Sequence, residues 1–508
     1  MSTTTASMNL ELEQILAQFK RRSGFSEVDY EVKQRADNKV LVLQMSNPSE
    51  RFFRVLQESM SSELPERGLL ATIQKRIPRN RLQSPEARYL LQTLSESLNI
   101  SRHSFGDDFF ARYTKSVSNA EAQITAAANH IVFGRRGAGK SSLLLYALRT
   151  RDQDKQPSAW IDMQAYEGRT DIRAVVDILR ETLTQLRVYL EKAPNYKDVL
   201  GAIDRMRRNE NLTDDDVRRF LPDVRTLFAH GVPDVRNYFL FLDDFHVIDP
   251  STQPRLLGFI YSIARGNNLF LKISAIETLT RTWDSRSHVG LQVPHDAQTI
   301  KLDYNLTMPD KAAKHIEGIL DAHAQYCALP SVQFLCTSHD VISRLVWVSA
   351  GVPRDALNIF AQAMTKGVTE GRGRVSVTNV NVAASEMVSQ KMRDIDVDVP
   401  EGPLEGDLTT TLELIKDFCI KKKRKNAFLI EILNDDAFNK ILKLVDLRLL
   451  HVISEGITVG EAGRKYLALI LDYGFYTGIR AAQSVDLFNS QTGRIAYKDL
   501  RRLPVFVP

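Results

Sequence analysis

The stretch IVFGRRGAGKSSLLLYAL, residues 131–148, decides the fold of this chain. Ile131, Val132 and Phe133 form a short apolar run of strand character. A glycine-rich segment follows, and from Ser142 to Leu148 the chain continues in residues that favour a helix. Strand, loop and helix in that order are the context that the pattern GxxxxGK[ST] requires of a phosphate-binding loop. Its glycines let backbone N–H groups converge on phosphate oxygens at the positive end of a helix dipole. The expectation is that Gly134, Arg135, Arg136, Gly137, Ala138, Gly139, Lys140, Ser141 and Ser142 cradle ATP. Lys140 reaches the β- and γ-phosphates, and the Ser141 hydroxyl ligates Mg²⁺.

A phosphate loop of this kind calls for a second, acidic strand end about a hundred residues on. Tyr238–Leu242 is an apolar run that ends in Asp243 and Asp244. Asp243 is expected to hold the metal's water shell and Asp244 to polarise the attacking water. Many motor ATPases carry Glu at the second position. Asp is one methylene shorter, and position matters greatly for an attacking water, so slow hydrolysis and a nucleotide-held switch are expected.

Composition sets the frame. An apolar fraction of 43% with 25% charged residues excludes a largely disordered chain. The 508 residues exceed what one core can serve, which predicts about three domains. A net charge of +5 permits nucleic-acid contact without demanding it. Cys327, Cys336 and Cys419 have neither CxxC spacing nor paired histidines, so the reading is a reducing cytoplasm with no zinc site or disulfide framework. Residues 1–10 lack a signal-peptide pattern, and no apolar run is long enough to span a membrane.

Rhythm divides the chain. Residues 1–105 read as an α+β interaction region with a hairpin (Val28–Val32 and Lys39–Met45). Helical faces follow, one at Phe52, Phe53, Leu56 and Met60 and another at Leu69, Leu70 and Ile73. Residues 106–306 alternate amphipathic helices with five short apolar runs: Ile131–Phe133, Ala159–Met163, Tyr238–Leu242, Leu269–Ile273 and Thr299–Leu302. Such runs predict an α/β core, a parallel sheet with helices on both faces. Residues 307–393 read as helical. The acidic segment 394–408, with two prolines and two glycines, reads as a linker. Residues 409–508 form a C-terminal unit.

With both motifs in place, the order of elements over residues 106–390 resembles the AAA+ ATPases. The nearest resemblance is to the initiator branch of origin-recognition and Cdc-type loaders. Gly351, Val352, Pro353 and Arg354 are similar to the GxPR segment that opens a lid helix there, which implies a sensor-2 role for Arg354 at the γ-phosphate. Residues 373–384 resemble the last lid helix. The family's polar sensor-1 residue would be Ser274, although Ile276 competes for the slot. Its arginine finger, which completes a neighbour's site, would be Arg281 or, by spacing, Arg286. Phe109, Phe110 and Tyr113 could wall an adenine pocket, although core packing is the commoner fate of such aromatics.

Initiator-type ATPases commonly carry a winged-helix module after the lid. Leu412–Phe418 and Asp435–Leu447 read as its helices, with a wing-like hairpin from Leu449–Ser454 and Ile457–Val459 and a further helix at Glu461–Leu471. Lys421, Lys422, Lys423, Arg424 and Lys425 are the densest positive run of the chain, suited to the phosphates of double-stranded DNA. Two functions fit this reading. One is an ATPase that self-assembles on DNA when ATP is bound. The other is a signalling or defence switch, like the related STAND ATPases, that gates a partner effector protein.

Overall fold

The computed structural model describes residues 2–35, 38–60, 69–229, 237–302, 306, 309–398, 403–433, 435–459, 464–477 and 497–507. The chain forms two compact units: Met1–Asn99 together with Tyr304–Pro508, and Ile100–Asp303.

The first unit opens with α1 (Ser2–Ser23), the expected hairpin β1 (Asp29–Arg35) and β2 (Asn38–Met45), and α2 (Glu50–Ser59). The hairpin's turn at 36–37 lies outside the described residues. On α2 only part of the expected face is buried: Phe52 and Leu56 are covered, whereas Phe53 is exposed. Leu69, Leu70 and Ile73 do not lie on a helix. They belong to β3 (Leu69–Lys75), which pairs in parallel with β2, Leu69 opposite Lys39. Burial there has a period of two: Leu69 and Ile73 are buried and Leu70 is exposed. The free edge of β2 offered a ladder, and pairing overrode a spacing that suits either state. The helix α3 (Pro85–Glu96) follows, capped by Ser84 accepting from the Ala87 amide.

The second unit is built on one sheet. After the short helices α4 (Asp107–Arg112) and α5 (Ala120–Ile124) come β4 (His130–Phe133), α6 (Lys140–Gln153) and β5 (Ser158–Asp162). Then come α7 (Arg173–Gln185), α8 (Arg187–Leu190), α9 (Tyr196–Arg208), α10 (Asp214–Ala229) and β6 (Tyr238–Asp243). The unit ends with α11 (Gln253–Ala264), β7 (Leu269–Ala275), the small ribbon β8 (Trp283–Asp284) and β9 (Val289–Gly290), and β10 (Gln298–Lys301). All five apolar runs are strands of one parallel sheet in the order β10-β4-β7-β6-β5. Alternation along β6 sends Tyr238, Leu240 and Leu242 to one core with α7, α10 and α11. Phe239 and Phe241 face the other core, with α4, α5 and α6. A strand covered on both faces needs apolar residues at every position, which is why β6 lacks polar alternation up to Asp243.

The chain then rejoins the first unit. The helices α12 (Pro309–Tyr326), α13 (Asp340–Val348), α14 (Pro353–Thr369) and α15 (Val377–Asp398) match the helical reading of that stretch. Ile316, Leu345 and Phe360 share one core with Phe19, Leu41, Phe52 and Leu90 of the N-terminal segment. Helical backbone continues through Asp398 and resumes at Pro403, so most of the segment read as a linker is helical; residues 399–402 lie outside the described set. After α16 (Pro403–Lys416) come β11 (Ala427–Glu431), α17 (Asp436–Asp446), β12 (Leu450–Ile457) and β13 (Tyr466–Leu471), in the sheet order β11-β13-β12.

This helix–strand–helix–hairpin succession is winged-helix-like, with two corrections. Glu455 and Gly456 do not turn a hairpin. They lie in a bulged stretch of β12, where the register slips between Ser454 and Ile457, and Gly456 supplies a φ of 69°. The expected helix at Glu461–Leu471 is, over its described part, the strand β13. It pairs with β11 on one side and β12 on the other, and all six of its residues are buried.

Buried ion pairs tie α14 and α15 to this last sheet. Lys391 Nζ lies 2.9 Å from Asp472 and 3.3 Å from Asp355. Arg448 pairs with Asp355, and His451 Nε2 lies 3.1 Å from Asp472. Burial pushes the Asp472 carboxyl up, but Lys391 and His451 outweigh it and hold it well below the usual carboxylate range.

Candidate functional site

The phosphate loop runs from the end of β4 to the first residue of α6. Gly137 and Gly139 take φ of 80° and 94°, a region that L side chains enter at a cost. A Cβ on Gly134 would lie 3.2 Å from that of Ala138, so the loop closes tightly only with glycine there. Lys140 is buried, and its ammonium lies 3.3 Å from the Arg135 carbonyl, inside the curve of the loop. A cradle of backbone amides closed by a lysine suits a polyphosphate.

The sheet order brings the acidic strand end to this loop. β7 lies between β4 and β6, and parallel pairing sets Ser274 opposite Val132. From there the fully buried Ser274 donates to the Asp243 carboxylate and accepts from the Asp244 amide, at 2.8 Å for the latter. Ser141 Oγ donates to the same Asp243 oxygen at 3.0 Å. A hydroxyl and a carboxylate side by side are the hard oxygen donors that magnesium takes, so Ser141 would hold such an ion and Asp243 its water shell. Among the described residues no cluster of three His, Cys, Asp or Glu could hold a metal by itself. One hydroxyl and one carboxylate would leave the remaining oxygen ligands of a magnesium ion to phosphate and water. Burial, then the adjacent Asp244 charge, push the Asp243 carboxyl up to about 6, against Ser274, Ser141 and Lys140.

Asp244 stands in the left-handed region at φ 54°, which turns its side chain off the strand line. Gln164 Nε2 lies 3.4 Å from its Oδ2, and His246 Nδ1 lies 3.9 Å from its Oδ1. Burial and the charges of Lys140 and Arg136 hold His246 neutral, with its pKa lowered to about 3. Neither Gln164 nor His246 was legible from sequence. Gln164 follows β5, a strand with no motif of its own, and only the strand order brings that edge beside β6.

The remaining expected residues fall elsewhere. Arg281 precedes the β8–β9 ribbon and Arg286 lies in its turn. Arg281 pairs with Asp284 at 3.2 Å, whereas the exposed Arg286 guanidinium has no partner among the described residues. Arg354, at the first turn of α14, belongs to the other unit, where it donates to Asn99 at 3.1 Å. Phe110 and Tyr113 stack on Tyr146 of α6, with centroids 5.3 and 4.7 Å apart, and Phe109 is buried in the same core. In the basic run, Lys421 and Lys422 both pair with Asp417, and Lys423 lies over the Phe418 ring. Lys421 through Arg424 are exposed.

Fold and site together define a P-loop α/β core. No family model matches the chain, and no curated protein matches it. Among solved structures it is similar to the Orc1 protein of Aeropyrum pernix in complex with DNA, at 14% identity. That match covers 76% of this chain and 96% of that one, with a TM-score of 0.39. It is also similar to Cdc6p from Pyrobaculum aerophilum, at 14% identity over 75% and 98% of the two chains, TM-score 0.38. The Drosophila ORC bound to DNA is similar at 14% identity over 80% and 95%, TM-score 0.34.

Proposed function

We propose that the chain is an AAA+ ATPase of the initiator type that binds ATP with magnesium, hydrolyses it slowly and self-assembles on double-stranded DNA. The observation that carries this reading is the hydrogen-bonded set Ser141, Asp243, Ser274 and Asp244 beside the Gly134–Ser141 loop. In this reading the loop amides and Lys140 bind the phosphates. Ser141 and Asp243 hold magnesium, which when bound neutralises charge on the β- and γ-phosphates. Asp244 orients the attacking water, and Ser274 fixes the Asp243 carboxylate and the Asp244 backbone amide. Arg286 completes the site of a neighbouring copy and Arg354 reaches the γ-phosphate. The segments 1–105, 106–306, 307–393, 394–408 and 409–508 serve as interaction region, ATPase core, lid, connection and DNA-binding module. Lys421, Lys422, Lys423, Arg424 and Lys425 contact DNA phosphates.

A specific observation favours a second reading, a STAND-like switch that gates an effector protein. The residue facing the attacking water is the short Asp244, and its Oδ2 already has Gln164 beside it, which suits long retention of ATP. The three buried cysteines, in no disulfide among the described residues, suit a reducing cytoplasm in either case, and among the described residues no helix is long and apolar enough to cross a membrane.

ATP turnover with and without double-stranded DNA, over a range of protein concentrations, separates the two. The first reading expects turnover to rise with both and to be lost in Lys140→Ala, Asp244→Ala and Arg286→Ala. Tight binding with negligible turnover that DNA leaves unchanged would overturn it in favour of the switch.

A further inference from the structure

His246 lies in the short turn Phe245–Val247 that follows β6, two residues beyond Asp244. Its side chain is only 6% exposed. Its Nδ1 is buried with no hydrogen-bond partner among the described residues. Native folds rarely leave a buried polar nitrogen unsatisfied, and an apolar ring would fill the same space without that cost. The nitrogen faces Oδ1 of Asp244 at 3.9 Å, about 1 Å beyond hydrogen-bond length. The other carboxylate oxygen has Gln164 beside it, so the two oxygens of Asp244 each have one polar side chain in reach.

A neutral imidazole has one N–H to give, and a neutral donor orients a carboxylate without protonating it. The need is specific to this chain. Asp244 is one methylene shorter than the Glu of many motor ATPases, and it leaves the strand at a left-handed φ. Its carboxylate therefore needs outside support to reach an attacking water with a fixed orientation. We propose that His246 is a positioning residue for Asp244. In the ATP-loaded site its Nδ1 hydrogen is donated to Oδ1 of Asp244, while Gln164 holds Oδ2, and the pair aims the carboxylate at the water. This rests on the hydrolytic reading of the site.

The test uses the full chain and compares His246→Asn, His246→Gln and His246→Phe for kcat, for the KM for ATP and for thermal midpoint. The Asn amide nitrogen falls near the place of Nδ1 and the Gln nitrogen near that of Nε2. The expected result is a kcat lowered about ten- to hundredfold in the Phe and Gln variants, with KM within about twofold of the parent, and recovery in the Asn variant. Equal kcat in the Asn and Gln variants, or an effect confined to KM or thermal midpoint, overturns the proposal. If the unsubstituted chain binds ATP but does not turn it over, the hydrolytic reading falls and this inference with it. Normal turnover in the parent and in the Phe variant removes the inference alone.

Discussion

Ser274 bonds to two consecutive residues, the Asp243 carboxylate and the Asp244 amide, from a position with no access to water. Ser274→Ala leaves that amide unpaired and takes one of two hydroxyl donors from Asp243. It is expected to destabilise the core by about 1–3 kcal/mol, read as a lower denaturant midpoint, and to lower turnover. The sequence left Ser274 and Ile276 as rivals because a strand's last residue cannot be counted without its neighbours. Pairing with β4 decides the register, and the strand ends at Ala275.

A pH dependence follows at the same scale. Burial, then the Lys272 charge, lowers His130 from 6.5 to about 4, and burial with Lys140 and Arg136 lowers His246 to about 3. As pH falls from 6.5 toward 4, the unfolded chain takes up protons that the folded chain refuses, so stability falls. Asp243, raised to about 6, works in the opposite sense between pH 6 and its ordinary 3.8. Glu86, raised by burial, works with Asp243, and Asp472, held low by Lys391 and His451, works with the histidines. The two histidine shifts are together the larger, so the thermal midpoint of the free protein is expected to be lower at pH 4.5 than at pH 7. His130→Asn should flatten that slope. An unchanged slope would show that other groups set it.

Among elements, the five core strands were legible as short apolar runs: β4 and β6, inside the sheet, are buried throughout, while the edge strand β10 buries Ile300 and exposes Gln298 and Lys301. β3 and β13 were not legible. Leu69, Leu70 and Ile73 satisfy a helical spacing as well as a strand, and only the free edge of β2 settles it. β13 is a continuous apolar run, YLALIL, that would also suit a buried helix; its place between β11 and β12 requires a strand. A central, fully buried strand should be intolerant of truncation. Leu469→Ala is expected to cost about 2–5 kcal/mol, whereas Phe53→Ser on the exposed side of α2 should cost no more than about 0.5 kcal/mol. Chemical denaturation of the two variants checks the contrast.

At the scale of the whole molecule, the phosphate loop announces itself in sequence because chemistry fixes its spacing. The sharing of one core by the N-terminal segment and the helices after Pro309 does not, since contacts between positions hundreds of residues apart leave no local period. The ion cluster of Lys391, Asp355, Asp472, Arg448 and His451 was hidden for the same reason. Lys391→Met leaves two buried carboxylates short of a cation, and the first unit is expected to lose about 3–5 kcal/mol. Because the cluster is remote in sequence from the phosphate loop, ATP binding by the second unit should survive that change.

The central claim is that the Gly134–Ser141 loop binds ATP with magnesium, and equilibrium titration of the purified chain with ATP, with and without Mg²⁺, tests it most directly. The account predicts saturable binding strengthened by Mg²⁺. Affinity should fall by about thirty- to 160-fold in Lys140→Ala, the loss of one charged phosphate contact worth about 2–3 kcal/mol. Equal affinity in the parent and the Lys140→Ala variant, or binding indifferent to Mg²⁺, would contradict it.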